Sequence, residues 1–338
     1  MVRPVDLSDN EPSAWPREGS KLERDFSIAE STFVAEPRAA LNAPGKILVY
    51  LLATILLGAL LAPPLYWIGQ ALAERGVLRF LGETEFQKFF NRGILVAAIA
   101  LLWPIVRWLN IRSMDELGLQ PDRHWLRHLV VGFAIAAVLV GVMAAAYVQI
   151  GVYRWKGELP WRRIPAVALS AAAVALLEEA LFRGAFLGLF RRSLRPLPAL
   201  FWVTSLFAVL HFLKPDDRVV VERVNWLSGF QLLPHTFHQF AEPMTLLATF
   251  TTLFALGWIL GYAAFRTHAL WMSIGLHAGV VFVKMAFSKF TKREAEYLPW
   301  IGSKLEIGLV PVVVLSIAGI LVWVCLYYED AHPRQTRS

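Results

Sequence analysis

A single cysteine, Cys325, stands among 338 residues, so the chain can close no disulfide within itself and can build no thiolate metal cluster. It sits inside an apolar run, where packing or lipid contact suits a thiol better than nucleophilic work. Charge is also scarce: Asp, Glu, Lys and Arg make up 17% of the residues against 57% hydrophobic, which excludes an ordinary water-soluble domain. No apolar segment of signal-peptide kind follows the amino terminus MVRPVDLSDNEPSAWPREGS, so the first membrane helix is expected to act as its own insertion signal. Neither a repeat of 20 to 50 residues nor an inverted pair of broken helices is visible, which weighs against solenoids and against many transporters.

What the chain does have is apolar length. A helix crossing roughly 30 Å of hydrocarbon needs about 20 mostly apolar residues, and about eight runs approach this. They lie near 47–72, 93–109, 127–150, 165–191, 198–213, 244–265, 269–288 and 307–328. The expected fold is therefore all-α, a polytopic bundle of about eight transmembrane helices over 46–330. A flexible polar tail is expected over 1–45, a short tail over 331–338, and a possible interfacial helix over 76–91. Pro63, Pro64 and Pro104 fall inside runs and predict kinks instead of ends. Trp67, Trp103, Trp108, Trp155, Trp161, Trp300 and Trp323 stand at or near run ends, where interfacial aromatics collect. The net charge of +7 is scattered between runs with no basic stripe, so nucleic acid is not an expected partner and the bilayer is. Eight spans put both termini on one side, expected to be the cytoplasmic side of the inner membrane; counting Lys and Arg near the helix ends does not choose the side. The sequence gives no reading of oligomeric state.

The fourth run, PAVALSAAAVALLEEALFRGAFLGLF, holds three charges where lipid tolerates none cheaply. Unpaired, Glu178, Glu179 and Arg183 would oppose insertion by about 8 to 10 kcal/mol. Glu179 and Arg183 are four apart with the acid first, the favoured order for an ion pair. Glu178 lies about 100° around the helix and must find its partner elsewhere. Two other runs offer one: the fifth ends near His211, with Phe207 four residues earlier on the same face, and the seventh carries His277 in mid-run. Glu178 and His211 each lie about 20 Å, and His277 about 13 to 16 Å, from the same membrane face. An acid and two imidazoles can thus meet in one layer. Gly184/Gly188, Gly257/Gly261 and Gly275/Gly279 have the spacing that lets helices approach closely.

EEALFR (Glu178, Glu179, Arg183), FAVLH (Phe207, His211) and HAGVV (His277) resemble the EExxxR, FxxxH and HxxxB motifs of the CPBP family of intramembrane proteases, also called Abi, which includes the type II CAAX prenyl endopeptidases. The resemblance spans about 165–285, taken as the catalytic core. It implies a glutamic intramembrane endopeptidase that cuts a membrane-anchored or lipidated peptide or protein, without cofactor or metal. Glu178 would be the general base, His211 would hold and activate the water, and His277 would stabilise the oxyanion. Glu179, Arg183 and Phe207 would support them. The third motif departs from the family, since Val281 stands where Asn or Asp is usual; Ser273 and Lys284 share the face of His277 as substitutes.

Other hydrolases lack their residues. There is no HExxH, no mid-span aspartate and no GxSG. Zinc held by His211, His277 and Glu178 is the metal alternative, set against a resemblance that implies none. Two other function classes use the same residues: a proton-coupled transporter with a Glu/His relay, and a non-catalytic scaffold or immunity-type protein in which the polar cluster only fixes packing. His235 and His238 read as a solvated pair in the long loop 214–243, which is expected to cover one face of the bundle. His124, His128, His268 and His332 read as flanking residues.

Overall fold

The computed structural model describes residues 43–331, apart from 110, 112, 158, 217 and 218. Nearly all of the 1–45 tail, all but the first residue of the 331–338 tail, His332, Asp217 and Arg218 lie outside the described residues.

All eight apolar runs are helices, and seven are long and apolar enough to cross a membrane. They are α1 (Ala43–Glu74), α2 (Phe86–Trp108), α3 (Trp125–Gln149), α4 (Trp161–Arg191), α7 (Pro243–Thr267), α8 (Trp271–Phe290) and α9 (Leu309–Ala331). The eighth, α5 (Pro196–Leu210), has 15 residues and a length of roughly 22 Å, short of a full crossing by itself. The chain is an all-α, multi-pass membrane protein. Pro63 and Pro64 stand inside α1 and Pro104 inside α2 without ending either helix, as expected where neighbours can satisfy the freed carbonyls.

The direction of α5 follows from its neighbours. Trp125 and Trp271 touch at the starts of α3 and α8 (ring centroids 5.1 Å apart), and past their ends Tyr153–Trp155 (β1) pairs antiparallel with Thr291–Arg293 (β2). So α3 and α8 run the same way. An even number of reversals separates them, which requires short α5 to supply one. With α5 counted, α9 ends on the face where α1 begins.

Glycine makes the α3–α8 seam. A Cβ on Gly275 would strike the Leu129 carbonyl oxygen, one on Gly279 would lie 2.7 Å from the Phe133 carbonyl oxygen, and one on Gly132 2.5 Å from that of Met272. The backbones are in contact, as small-residue spacing permits. Gly188 has no neighbour within 4 Å of such a Cβ, so the Gly184/Gly188 pair is not a seam of this kind.

Two segments differ from expectation. Residues 76–91 form no helix of their own: a 3-10 turn, Arg79–Leu81, leads into α2, which takes in the rest from Phe86. The 214–243 loop does more than lie over a face, because its short helix α6 (Ser228–Leu232) enters against the middle of α1. Gly229 abuts the Ala59 carbonyl, and Leu232 is buried with Ala59, Ala62, Phe86 and Phe90. His128 is buried instead of flanking: its Nε2 lies 3.2 Å from Glu329, which also takes a 3.1 Å bond from Arg127 and so ties α3 to α9.

Gly275→Leu should lower the stability of the detergent-solubilised protein by about 1 to 3 kcal/mol, because the α3–α8 seam has no room for the side chain. Gly188→Ala should leave it within about 0.5 kcal/mol. Thermal unfolding of the two variants checks the contrast.

Candidate active site

The site lies where α4, α5, α7 and α8 meet. In α4, an α-helical stretch Ile164–Glu179 gives way to a π-helical stretch Ala180–Phe186 directly after the two glutamates. Such widened turns are rare and recur at functional sites. Here Glu179 and Arg183 face inward, fully buried and paired at 2.8 Å (Nη1 to Oε1), in the four-residue register read from the sequence.

Arg183 reaches further than its own helix. Its Nη2 donates to the Gly257 carbonyl of α7 at 3.1 Å, and its guanidinium lies 4.5 Å from the centre of the Phe207 ring of α5. A Cβ on Gly257 would come within 3.2 Å of that nitrogen, so the glycine keeps the guanidinium's place open. One side chain thus holds three helices together.

Glu179 does more than neutralise Arg183. The same Oε1 accepts a hydrogen bond from His277 Nδ1 of α8, also at 2.8 Å. His211, at the end of α5, bonds through Nδ1 to the Phe207 carbonyl at 2.7 Å and lies 4.5 Å from the Phe207 ring, centroid to centroid. A carbonyl can only accept, so His211 carries its proton on Nδ1; the carboxylate of Glu179 imposes the same on His277. Both imidazoles therefore turn Nε2 toward the remaining acid. Those nitrogens lie 3.7 Å (His211) and 3.8 Å (His277) from Glu178 Oε2.

In the neutral tautomers three acceptors, two ring nitrogens and one carboxylate oxygen, converge with no donor among them. Glu178 Oε2 is buried and has no hydrogen-bond partner among the described residues. The gaps exceed a direct hydrogen bond but leave one water within reach of both members of each pair. A water or a proton is what such a trio accommodates.

The predicted residues Glu178, Glu179, Arg183, Phe207, His211 and His277 all come together. The proposed substitutes for the missing Asn or Asp do not stand free: Ser273 Oγ donates to the Leu260 carbonyl at 2.6 Å, and Lys284 Nζ pairs with Glu306 at 2.7 Å. His235 is exposed, and His238 bonds to the backbone carbonyl of His235 and lines the polar space that reaches His211, so neither belongs to the trio itself. Among the described residues no group of three or more His, Cys, Asp or Glu has the arrangement of a metal site.

Two open spaces meet at the trio. An apolar cleft of about 530 Å³ between α1, α2 and α4 is lined by Leu95, Ile99, Leu102 and Leu181 and reaches Glu178 and His211. A polar vestibule of about 500 Å³ extends from His211 toward the membrane face where α8 ends, past Lys214, Lys284, Lys304 and Glu306. Asn91, His211 and Lys214 border both spaces. Sequence reasoning missed Asn91 and Lys214; a Lys three residues beyond the FAVLH histidine was the available signal for the second. Val281 lies on the wall of a third, smaller cavity of about 70 Å³, with His277 and His211.

Arg183→Ala should destabilise the folded protein by about 3 to 5 kcal/mol, because it leaves the buried carboxylate of Glu179 with one partner and frees the Gly257 carbonyl. Thermal unfolding in detergent measures it, and an unchanged midpoint would sink the claim that this ion pair ties α4 to α7.

No curated protein and no solved structure matches the chain. Residues 160–283, which contain all six predicted site residues, match the family described as Type II CAAX prenyl endopeptidase Rce1-like, so over its buried polar core the chain is similar to that family.

Proposed function

We propose that the protein is an intramembrane endopeptidase that hydrolyses a peptide bond in a membrane-anchored substrate, with Glu178, His211 and His277 as its catalytic residues. The observation that carries this reading is the convergence of both Nε2 atoms on Glu178 Oε2, at 3.7 and 3.8 Å. The family match supports a peptidase over a transporter or scaffold. An anchored or prenylated substrate fits the apolar cleft, which ends at the acid and one imidazole.

In this reading a water binds between Glu178 and His211. Glu178 takes one of its protons while the oxygen attacks the carbonyl carbon, and His211 Nε2 orients the second hydrogen. The carbonyl π electrons move to oxygen. His277 can stabilise that oxyanion only with a proton on Nε2, and Nδ1–H is already committed to Glu179. The stabilising form is therefore the imidazolium, whose counter-charge is Glu179. Collapse of the tetrahedral intermediate breaks the C–N bond, and the proton held by Glu178 passes to the leaving amine. Arg183 and Phe207 act through the others: one fixes Glu179, the other His211.

The site departs from the family at Val281, so the oxyanion loses a side-chain donor on α8 and depends the more on His277. Removing one such donor from a dry site costs about 2.7 to 4 kcal/mol of barrier, a fall of roughly 10² to 10³ in kcat.

Comparing the termini of membrane proteins in cells carrying the intact protein and the Glu178→Gln variant tests the function. Cleavage products should vanish in Glu178→Gln and in His211→Ala, and should fall by roughly 10² to 10³ in His277→Ala. Glu178 has no hydrogen bond to lose at Oε2, so Glu178→Gln should unfold at the wild-type temperature. Full activity in Glu178→Gln would leave the cluster as a packing device.

A further inference from the structure

One polar side chain of the apolar cleft has no task in the proposed mechanism. The wall that α2 gives to the cleft is Asn91, Ile94, Leu95, Ala98, Ile99 and Leu102, a spacing of three and four residues that keeps them on one helical face. Five of the six are apolar. Asn91 is the exception, at the end of the stripe nearest the start of α2. It is exposed, and its carboxamide makes no hydrogen bond among the described residues. A carboxamide facing an apolar cleft needs a partner, which here the protein itself does not supply.

The place of Asn91 narrows what that partner is. Cleft and vestibule share a neck, bordered by Asn91 of α2 and by His211 and Lys214 at and past the end of α5. A substrate anchored in the cleft and reaching the vestibule passes through this neck. Each of its peptide units then leaves bulk water with one N–H to donate and one carbonyl to accept. The carboxamide of Asn91 carries the complementary groups, an accepting oxygen and a donating nitrogen, and so can pair with backbone as one strand pairs with the next. His277 opens instead into the small third cavity, beside Val281. Asn91 therefore meets the peptide away from the oxyanion side and does not replace the donor missing at 281.

Resting on the peptidase reading, we propose that Asn91 is a substrate-positioning residue that hydrogen-bonds the backbone of the anchored peptide in the neck between cleft and vestibule. Its Oδ1 accepts from a peptide N–H and its Nδ2 donates to a peptide carbonyl. The contact reads main chain, so it holds many sequences extended past Glu178 and His211 and leaves the choice of substrate to other features. Asn91 lies outside the family-matched stretch, residues 160–283, so the clamp comes from a part of the chain that the match does not cover.

The experiment uses the full chain in vesicles of neutral lipid. The probes are farnesylated fluorescent peptides amidated at the C-terminus. One is all-amide, and the others carry a single ester in place of one of the first four backbone amides past the prenylated residue. An ester removes the N–H and leaves every side chain in place. Binding is measured to the Glu178→Gln protein, which holds peptide without cutting it, and kcat and KM are measured with Glu178 intact. At one position the ester should weaken binding by roughly tenfold. With Asn91→Leu added, the all-amide peptide should bind roughly tenfold less well, and the ester at that position should cost nothing further. With Asn91→Asp, which keeps an accepting oxygen, the ester effect should persist. In the active protein Asn91→Leu should act chiefly by raising KM. Binding that Asn91→Leu does not change, or an ester effect that survives it, overturns the clamp. So does a loss confined to kcat, which would put Asn91 at the reacting atoms. An ester effect that depends on Asn91, in a protein that cleaves none of the peptides, would keep the clamp and overturn the hydrolytic reading.

Discussion

One oxygen atom organises this molecule: Glu179 Oε1, which receives Arg183 from its own helix and His277 from α8, each at 2.8 Å. A carboxylate removed from water must be paired or it would not stay ionised, and in a bilayer the demand is stricter. Arg183 answers it and, through Gly257 and the Phe207 ring, draws in α7 and α5. His277 answers it a second time and is thereby fixed in tautomer and direction. Four helices are registered against each other by one ion pair and its hydrogen bonds, in a region where apolar packing alone distinguishes poorly between one helix face and the next. The adjacent glutamate, 100° away around α4, is released from structural duty and left facing two ring nitrogens.

That division of labour was partly legible in the sequence. The four-residue step from Glu179 to Arg183 declared a pair, and the odd residue, Glu178, declared itself free. Matching depths on separate spans suggested that His211 and His277 lay level with it. What depth counting could not supply was rotation about each helix axis. Nothing in the residues showed that His277 would turn Nδ1 to Glu179 and Nε2 to Glu178, because that depends on the contacts of α8 with α3 and α4. Those contacts depend on glycines whose spacing was visible at 275 and 279 and equally visible at 184 and 188, where it fills a different role.

The same limit explains the other departures. The helices were readable because a 20-residue apolar run has only one outcome in lipid. The segments between them had no such constraint. Residues 76–91 are apolar enough to suggest an interfacial helix, yet the aromatic residues Phe86 and Phe90 are spent at the start of α2. The 214–243 loop carries enough charge to read as a surface cover, but a single glycine at 229 lets α6 touch the backbone of α1, and Leu232 is buried beside it. Ser273 shares a face with His277 on a helical wheel, but its hydroxyl is satisfied by the Leu260 carbonyl. A wheel shows direction and says nothing of what is already bonded.

Val281 shows how this arrangement bears on chemistry. The family places a carboxamide or carboxylate one turn after the α8 histidine; here an apolar side chain lines a small cavity there, and the next polar group along that face, Lys284, is drawn away by Glu306. Burial by itself would raise the pKa of Glu306, but the charge and the hydrogen bond of Lys284 overcome it and leave that pKa lowered. In the proposed mechanism, an apolar side chain at this position leaves the electrostatic task to His277. Its capacity to carry that task rests on the carboxylate behind it, since an imidazolium in a low-dielectric site needs a fixed counter-charge. Glu179 is that charge, and Arg183 tempers it by sharing the same oxygen. The helix pairing and the proposed chemistry therefore depend on the same three atoms, Arg183 Nη1, Glu179 Oε1 and His277 Nδ1, which lie deeply buried while Glu178 beside them remains partly open.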